Sequence, residues 1–220
     1  MKREIIQTQD GSTTIFLPDL DEHYHSKHGA IQEAYHVFIR AGFDLFENLN
    51  ISILEIGFGT GLNAFITLLE AEKHNKTIDY VGVEAYPVMI EEAQLMNYVS
   101  ELNVDEKSDI FNKIHETNWE EKLEISNNFC LTKRKQFFND IVDENAFDLI
   151  YFDAFGYRVQ PDLWSTEIFR KMYNALRPNG VLVTYAARGV VKRSMIEVGF
   201  KVEKLPGAPG KREMFRARKL

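Results

Sequence analysis

Three glycines and three acids are the residues of this chain whose types and spacing could do chemistry. Gly57, Gly59 and Gly61 stand in Glu55-Ile56-Gly57-Phe58-Gly59-Thr60-Gly61, directly after the apolar run from Ile51 to Ile56. Glycine lets a backbone turn sharply and come close to a ligand. A Gly-x-Gly-x-x-Gly spacing would indicate a pyrophosphate at the start of a helix. Here the spacing is Gly-x-Gly-x-Gly, and Glu55 precedes the first glycine by two residues. A carboxylate at the loop entrance repels phosphate and suits a positively charged ligand. Glu84 ends the next apolar run, where a carboxylate can accept both hydroxyl hydrogens of a ribose. Asp153 emerges from a third run, Phe147 to Phe152, and should face the same crevice. A ligand with an ammonium, a sulfonium and a ribose diol but no phosphate meets these demands together. The pattern therefore predicts S-adenosyl-L-methionine as cofactor, bound by Glu55, Gly57, Gly59, Gly61, Glu84 and Asp153. Asp153 is also the candidate catalytic residue, placed to hold and deprotonate an acceptor amine; its bland alternative is a cap on the following segment.

The elements that must position these residues alternate along the chain. Ile51 to Ile56 reads as a buried strand and Leu62 to Lys73 as the helix after it. Tyr80 to Glu84, Phe129 to Thr132, Phe147 to Phe152 and Val181 to Tyr185 read as further strands. Pro87 to Met96, Ser165 to Leu176 and Val190 to Val198 read as helices, the second opened by a Ser-Thr-Glu cap. Phe200 to Leu205 and Glu213 to Ala217 close the chain with no helix between them, so they should form an antiparallel pair at one edge. The fold class expected is α/β, a Rossmann-like class I methyltransferase with a mostly parallel seven-stranded sheet and an antiparallel C-terminal strand pair. Residues 1–49 stand outside this alternation, with a hairpin near Thr13 to Leu17 and a helix from Ala30 to Ile39. They are expected to form an N-terminal extension covering the active site of a domain spanning 50–220. Ser100 to Asn128 is charged and poorly patterned and reads as a helical excursion.

At 220 residues with 45% hydrophobic content, the chain can bury a full core. No apolar run approaches the roughly 18 residues a membrane span needs, and the polar start lacks a secretory signal, so a cytoplasmic protein with no membrane partner is expected. A single cysteine, Cys130, excludes an internal disulfide. His23, His25 and His28 cluster, but alternate spacing suits a strand and a spacing of three suits a helix, so no metal site is expected. Gly207 to Lys211 misses the spacing of a phosphate-binding loop and leads into a strand. Trp164 reads as a packing anchor or as a lining of the substrate cleft. The net charge of −7 conceals an asymmetry. From Tyr185 onward there are ten Lys/Arg against three Asp/Glu, while the preceding residues carry sixteen against thirty. A basic C-terminal portion on an acidic body permits a polyanionic partner on one face.

Several strings resemble one family, the methyltransferase domain of MnmC, found also as the stand-alone MnmD type. They are Tyr24-His25-Ser26-Lys27-His28-Gly29-Ala30-Ile31-Gln32-Glu33 with Val37-Phe38, then Glu55 to Asn63, Asp153-Ala154-Phe155, Pro161 to Ser165, and Gly207 with Lys211-Arg212-Glu213-Met214. They follow in the family's order over nearly the whole chain. The resemblance implies transfer of a methyl group from S-adenosyl-L-methionine to the exocyclic amine of 5-aminomethyl-2-thiouridine at the tRNA wobble position. It implies the tRNA anticodon loop as partner, and a separate FAD-dependent oxidase acting upstream in the same modification pathway. It puts Glu55, Gly57, Glu84 and Asp153 at cofactor or active-centre positions and Glu33 in the segment covering the site. Glu33, Lys192, Arg193, Lys211 and Arg212 are the substrate-binding candidates, the four cations for phosphate contacts. Two positions depart from the family. A Gly-Asp pair expected after the third strand is replaced by Leu131-Thr132-Lys133-Arg134, leaving adenine recognition through that acid open, and Gly156-Tyr157-Arg158 stands where a small residue and proline are usual. A methyltransferase for a small-molecule or protein amine, and a non-catalytic cofactor- or RNA-binding module, remain the alternative functions.

Overall fold

The computed structural model describes residues 2–220. The chain opens with β1 (Glu4–Gln7), β2 (Thr13–Leu17) and β3 (Glu22–His23), a small antiparallel sheet. Helix α1 (Ala30–Ala34) follows and continues as a π-helix over Tyr35–Arg40. The expected single helix over this stretch is thus one continuous element whose second half is wound more widely.

Next come β4 (Asn50–Ile56), α2 (Leu62–Lys73), β5 (Thr77–Val83), α3 (Ile90–Ala93), α4 (Tyr98–Glu101), α5 (Ser108–Glu116), β6 (Lys122–Ser126), β7 (Phe129–Arg134) and β8 (Phe147–Phe152). Helix α6 (Thr166–Ala175), β9 (Leu176–Thr184), α7 (Gly189–Glu197), β10 (Lys201–Pro206) and β11 (Glu213–Arg218) complete the chain. The main sheet has the order β10-β11-β9-β8-β4-β5-β7-β6. β7, β5, β4, β8 and β9 run parallel, and β10 and β11 form the antiparallel pair at one edge. These make the seven strands expected. An eighth corrects the count: β6 lies antiparallel to β7 at the opposite edge, inside the stretch read as helical. Only one of its five residues is buried, so its strand identity comes from pairing rather than from an apolar pattern.

Alternation along the central strands divides the core between the two faces of the sheet. Ile51, Ile53, Leu149, Tyr151, Val181 and Val183 pack on the side of α2, while Leu54, Ile56, Ile150, Phe152 and Leu182 pack on the side of α6 and α7. Strand order reverses about β4, with β5 on one side and β8 on the other. Loops leaving the carboxyl ends of β4, β5 and β8 therefore surround one crevice, where an open parallel sheet binds its ligands. Among the described residues no helix is long and apolar enough to cross a membrane.

Candidate active site

Backbone pairing first brings the loops together. Gly57 and Phe58 both donate to the Val83 carbonyl, at 3.0 and 3.1 Å, so the loop after β4 bends across the end of β5. Asp153 donates to the Ile56 carbonyl at 2.9 Å, which seats it beside the same loop. Gly57 has φ of 89°, and a Cβ there would lie 2.6 Å from the Asp153 carbonyl oxygen. Only glycine allows this approach.

Glu84 follows β5 and is aimed by two backbone donors. Its Oε2 accepts from Gly59 N at 3.1 Å and its Oε1 from Tyr86 N at 3.0 Å. Together with Gly57, Gly59, Asn63 and Asp153 it lines a cleft with an aromatic wall that includes Phe137, Phe138 and Phe155. Tyr24, from the N-terminal segment, lies across this cleft and meets Phe155 edge-on at 5.1 Å between centroids. Arg3 ties that segment down by donating to Glu92 at 2.7 Å and to the Tyr86 carbonyl at 2.9 Å.

Glu55 is placed differently from the expectation. It is fully buried on the α2 side of the sheet and does not line the cleft. Its Oε2 accepts from the Tyr80 hydroxyl and its Oε1 from Asn63 Nδ2, both at 2.9 Å. The same Asn63 Nδ2 donates to Asp153 Oδ2 at 2.9 Å. Glu55 therefore reaches the cleft through Asn63, a residue in the first turn of α2 that lines it directly. Burial pushes the Glu55 carboxyl well above the usual carboxylate range, against the hydrogen bonds from Asn63 and Tyr80. Asn63 Oδ1 is buried with no hydrogen-bond partner among the described residues. An orphaned buried acceptor is costly unless a donor arrives with a ligand. Two acids and this acceptor line the cleft, with no Lys or Arg among its described lining residues, so the donor set fits a cationic cofactor and not a phosphate.

Asp153 also lines a second space, an open basin of about 670 Å³. Burial pushes its carboxyl up to about 7, assisted by the charge of Glu33 and opposed by the Asn63 hydrogen bond and by Lys211. Glu33, on α1, is 6% exposed; it accepts from Ser26 N at 2.9 Å and pairs with Lys211. Lys211 Nζ also lies 3.8 Å from the Tyr185 ring centroid. Arg212 is on the basin lining, as are three cations not anticipated from the sequence, Lys27, Arg158 and Arg188. Lys192 and Arg193 lie on α7 away from the lining, Lys192 half-buried and Arg193 exposed.

Other candidates are held by neighbours of their own: His23, His25 and His28 line the basin, His25 also lines the cleft, and Trp164 and Lys133 are buried. His25 meets the Thr14 hydroxyl at 3.0 Å and His28 meets Gln9 Oε1 at 3.0 Å, so these rings face different partners. Trp164 is 1% exposed and donates to the Phe155 carbonyl at 2.8 Å, anchoring the residue that lines the cleft. Lys133 is 2% exposed; it donates to the His115 carbonyl at 2.7 Å and lies 5.1 Å from the Trp119 ring centroid. It stands outside the cleft, whose wall beyond β7 is made by Phe137 and Phe138.

A family model described as S-adenosyl-L-methionine-dependent methyltransferase matches residues 96–220. Among curated relatives, the tRNA 5-methylaminomethyl-2-thiouridine biosynthesis bifunctional protein MnmC of Azoarcus sp. (strain BH72) is 30% identical over 211 residues, covering 90% of this chain and 33% of the relative. The protein of the same name from Burkholderia thailandensis is 31% identical over 224 residues, covering 96% and 34%. The chain thus spans about a third of the length of these relatives. Of solved structures, MNMC2 from Aquifex aeolicus superposes with a TM-score of 0.77 at 24% identity, over 98% of this chain and 70% of that one. Spermidine synthase from Thermotoga maritima gives 0.55 at 15%, over 99% and 72%. Both likenesses establish the fold.

Proposed function

The chain belongs to the S-adenosyl-L-methionine-dependent methyltransferase family, and from that premise we propose that it methylates the exocyclic amine of 5-aminomethyl-2-thiouridine at the tRNA wobble position. The product is 5-methylaminomethyl-2-thiouridine. The observation that carries this reading is the double placement of Asp153, which lines both the acid-rich cleft and the cation-rimmed basin. The cleft suits a cationic cofactor and the basin rim suits a polyanion, so the shared carboxylate marks where donor and acceptor would meet. The names of the MnmC relatives supply the nucleoside, 5-methylaminomethyl-2-thiouridine of tRNA, and the family resemblance supplies the wobble position. By the same resemblance, a separate FAD-dependent oxidase acts upstream in the same pathway.

When bound, the cofactor supplies a sulfonium methyl that is already activated. The protein then has to align the acceptor, exclude water and manage one proton. Glu84, held by Gly59 N and Tyr86 N, is set to accept from a ribose diol. Asn63 Oδ1 and Asp153 form an acceptor pair suited to an ammonium. Asp153, with its carboxyl near 7, can take the proton that the acceptor amine must lose. An anticodon-loop base is unpaired, so presenting it costs less than extracting one from a duplex. Arg212, Lys27, Arg158 and Arg188 provide the electrostatic rim for the flanking phosphates.

The test is nucleoside analysis of tRNA lacking the wobble methyl after incubation with the protein and methyl-labelled cofactor. Label is expected only in the wobble uridine. Label in another nucleoside, or label transferred equally well to small amines without tRNA, would overturn the assignment.

A further inference from the structure

The loop joining β10 to β11 is shaped to hold one lysine inward. Lys211 N donates to the Ala208 carbonyl at 2.8 Å and Gly207 N to the Arg212 carbonyl at 3.2 Å, so the loop closes on itself. A Cβ on Gly207 would lie 2.5 Å from the Lys211 carbonyl oxygen, and Gly210, at φ of 82°, abuts the His28 ring. The Lys211 ammonium is thereby delivered to Glu33 and to the face of Tyr185, whose hydroxyl donates to the Ala154 carbonyl at 2.8 Å. Glu33 is itself held by Ser26 N. Every partner of the lysine is fixed from its own side. A residue serving only tRNA phosphates would present its charge at the rim, as Arg158 does with 60% of its side chain exposed, whereas the Lys211 side chain is 31% exposed.

This geometry bears on the two acids of the basin. An arriving ammonium is attracted by any ionised carboxylate within a few ångströms, and two acids in one site raise each other's proton affinity. Asp153 is faced by Glu33 from α1, by Lys211 from the β10–β11 loop, by Tyr185 after β9, and by Asn63 with Glu55 behind it. His25 also stands near Glu33 and Lys211, and burial holds its ring down at about 4, so it stays neutral. Lys211 is the cation among these that opposes the carboxylates. Resting on the reading of the basin as the seat of an acceptor amine, we propose that Lys211 is a positioning residue that sorts the two acids. It fixes Glu33 as a counter-ion and leaves Asp153 as the single acid open to the amine.

The test compares Lys211→Met, Lys211→Arg, Glu33→Gln and the Lys211→Met/Glu33→Gln double variant with the parent protein. Two readouts are used. One is the titration of the Asp153 carboxyl, followed by carbon-13 NMR of aspartate-labelled protein and assigned by difference from Asp153→Asn. The other is the pH profile of methyl transfer to tRNA lacking the wobble methyl. Lys211→Met should raise the Asp153 titration and the acid limb of the profile by about one unit, costing about fivefold in rate at pH 7 and nothing at pH 9. Lys211→Arg should leave both in place, and the double variant should restore both, because removing the two opposite charges again leaves Asp153 alone. An unchanged titration in Lys211→Met overturns the proposal, as does a shift that Glu33→Gln fails to reverse. Weaker tRNA binding with a shallower salt dependence and an unmoved titration would reassign Lys211 to phosphate and equally overturn it. If the parent protein leaves tRNA unmethylated, the functional reading falls, while the NMR series still decides the role of Lys211.

Discussion

Asp153→Asn separates the cost of the carboxyl shared by cleft and basin from its proposed use. The folded carboxyl titrates at about 7 against an ordinary value of 3.8, and burial is the largest cause. Between those two pH values the folded protein keeps a proton that the unfolded chain releases. Stability from this group is therefore fully present below pH 3.8 and is lost as pH rises through about 7. Roughly three units at about 1.4 kcal/mol each would give about 4 kcal/mol. Asp153 keeps partial solvent access, so a discount to about 2 kcal/mol is the working magnitude. An amide at this position retains an oxygen for Asn63 Nδ2 and carries no charge to desolvate. At pH 8 the variant should be about 2 kcal/mol more stable than the parent, and near pH 4 the difference should vanish. Urea denaturation at several pH values measures this, and the difference between the two proteins isolates Asp153 from Glu55, whose carboxyl is also raised. Methyl transfer should fall by about 10² or more, the usual weight of a positioned base, and cofactor affinity should fall less than this, because the amide and Asn63 Oδ1 still offer oxygens to an ammonium. A variant less stable at pH 8, or one with unchanged turnover, would refute the reasoning.

Glu84→Gln keeps an acceptor for only one of the two backbone donors and loses its charge. Cofactor affinity should fall about tenfold or more by calorimetry, and an unchanged dissociation constant would remove Glu84 from the ribose. Gly57→Ala puts a Cβ 2.6 Å from a backbone oxygen at φ of 89°; at least about 1–3 kcal/mol of stability should be lost on urea unfolding. Lys192→Gln combined with Arg193→Gln should lower the slope of log affinity for tRNA against log salt by about 1–2 if both cations touch phosphate. An unchanged slope would confine the phosphate contacts to the basin rim.

The order of elements was legible because burial on both faces of a parallel sheet leaves continuous apolar runs. Helix α2 has the bounds read from the sequence, since glycine stops before it and its residues from Leu62 to Leu68 are all buried. The stretch from Pro87 to Met96 reads as a full helix but forms only the turn Ile90–Ala93. Ala93 and Met96 reach the core, but Met89, Ile90 and Leu95 are exposed, so only part of this apolar run is buried. β6 was illegible for the opposite reason. Its side chains are mostly exposed, and its partner β7 supplies the ladder that defines it. Sequence periodicity reports burial, and an edge strand has little of it.

At the candidate site, the acids were legible in the sequence but not how the fold would arrange them around the cleft. Glu55 stands next to the glycine loop in the chain, yet the pleat turns its side chain to the α2 face, where Asn63 meets it. The signal for Asn63 was available: it is a polar side chain inside an otherwise apolar first turn, Leu62 to Phe65. Its role could not be read, because linking Glu55 to Asp153 depends on the neighbouring positions of β4 and β8 in the sheet. Lys211 shows the same limit from the other end of the chain. Its surroundings in sequence suggest a basic surface, but Glu33 lies 178 residues away and turns it inward. Charge counts along a chain cannot distinguish a cation that meets phosphate from one that balances a buried acid. Only the fold, by putting Glu33, Asp153 and Tyr185 on one basin wall, makes that distinction.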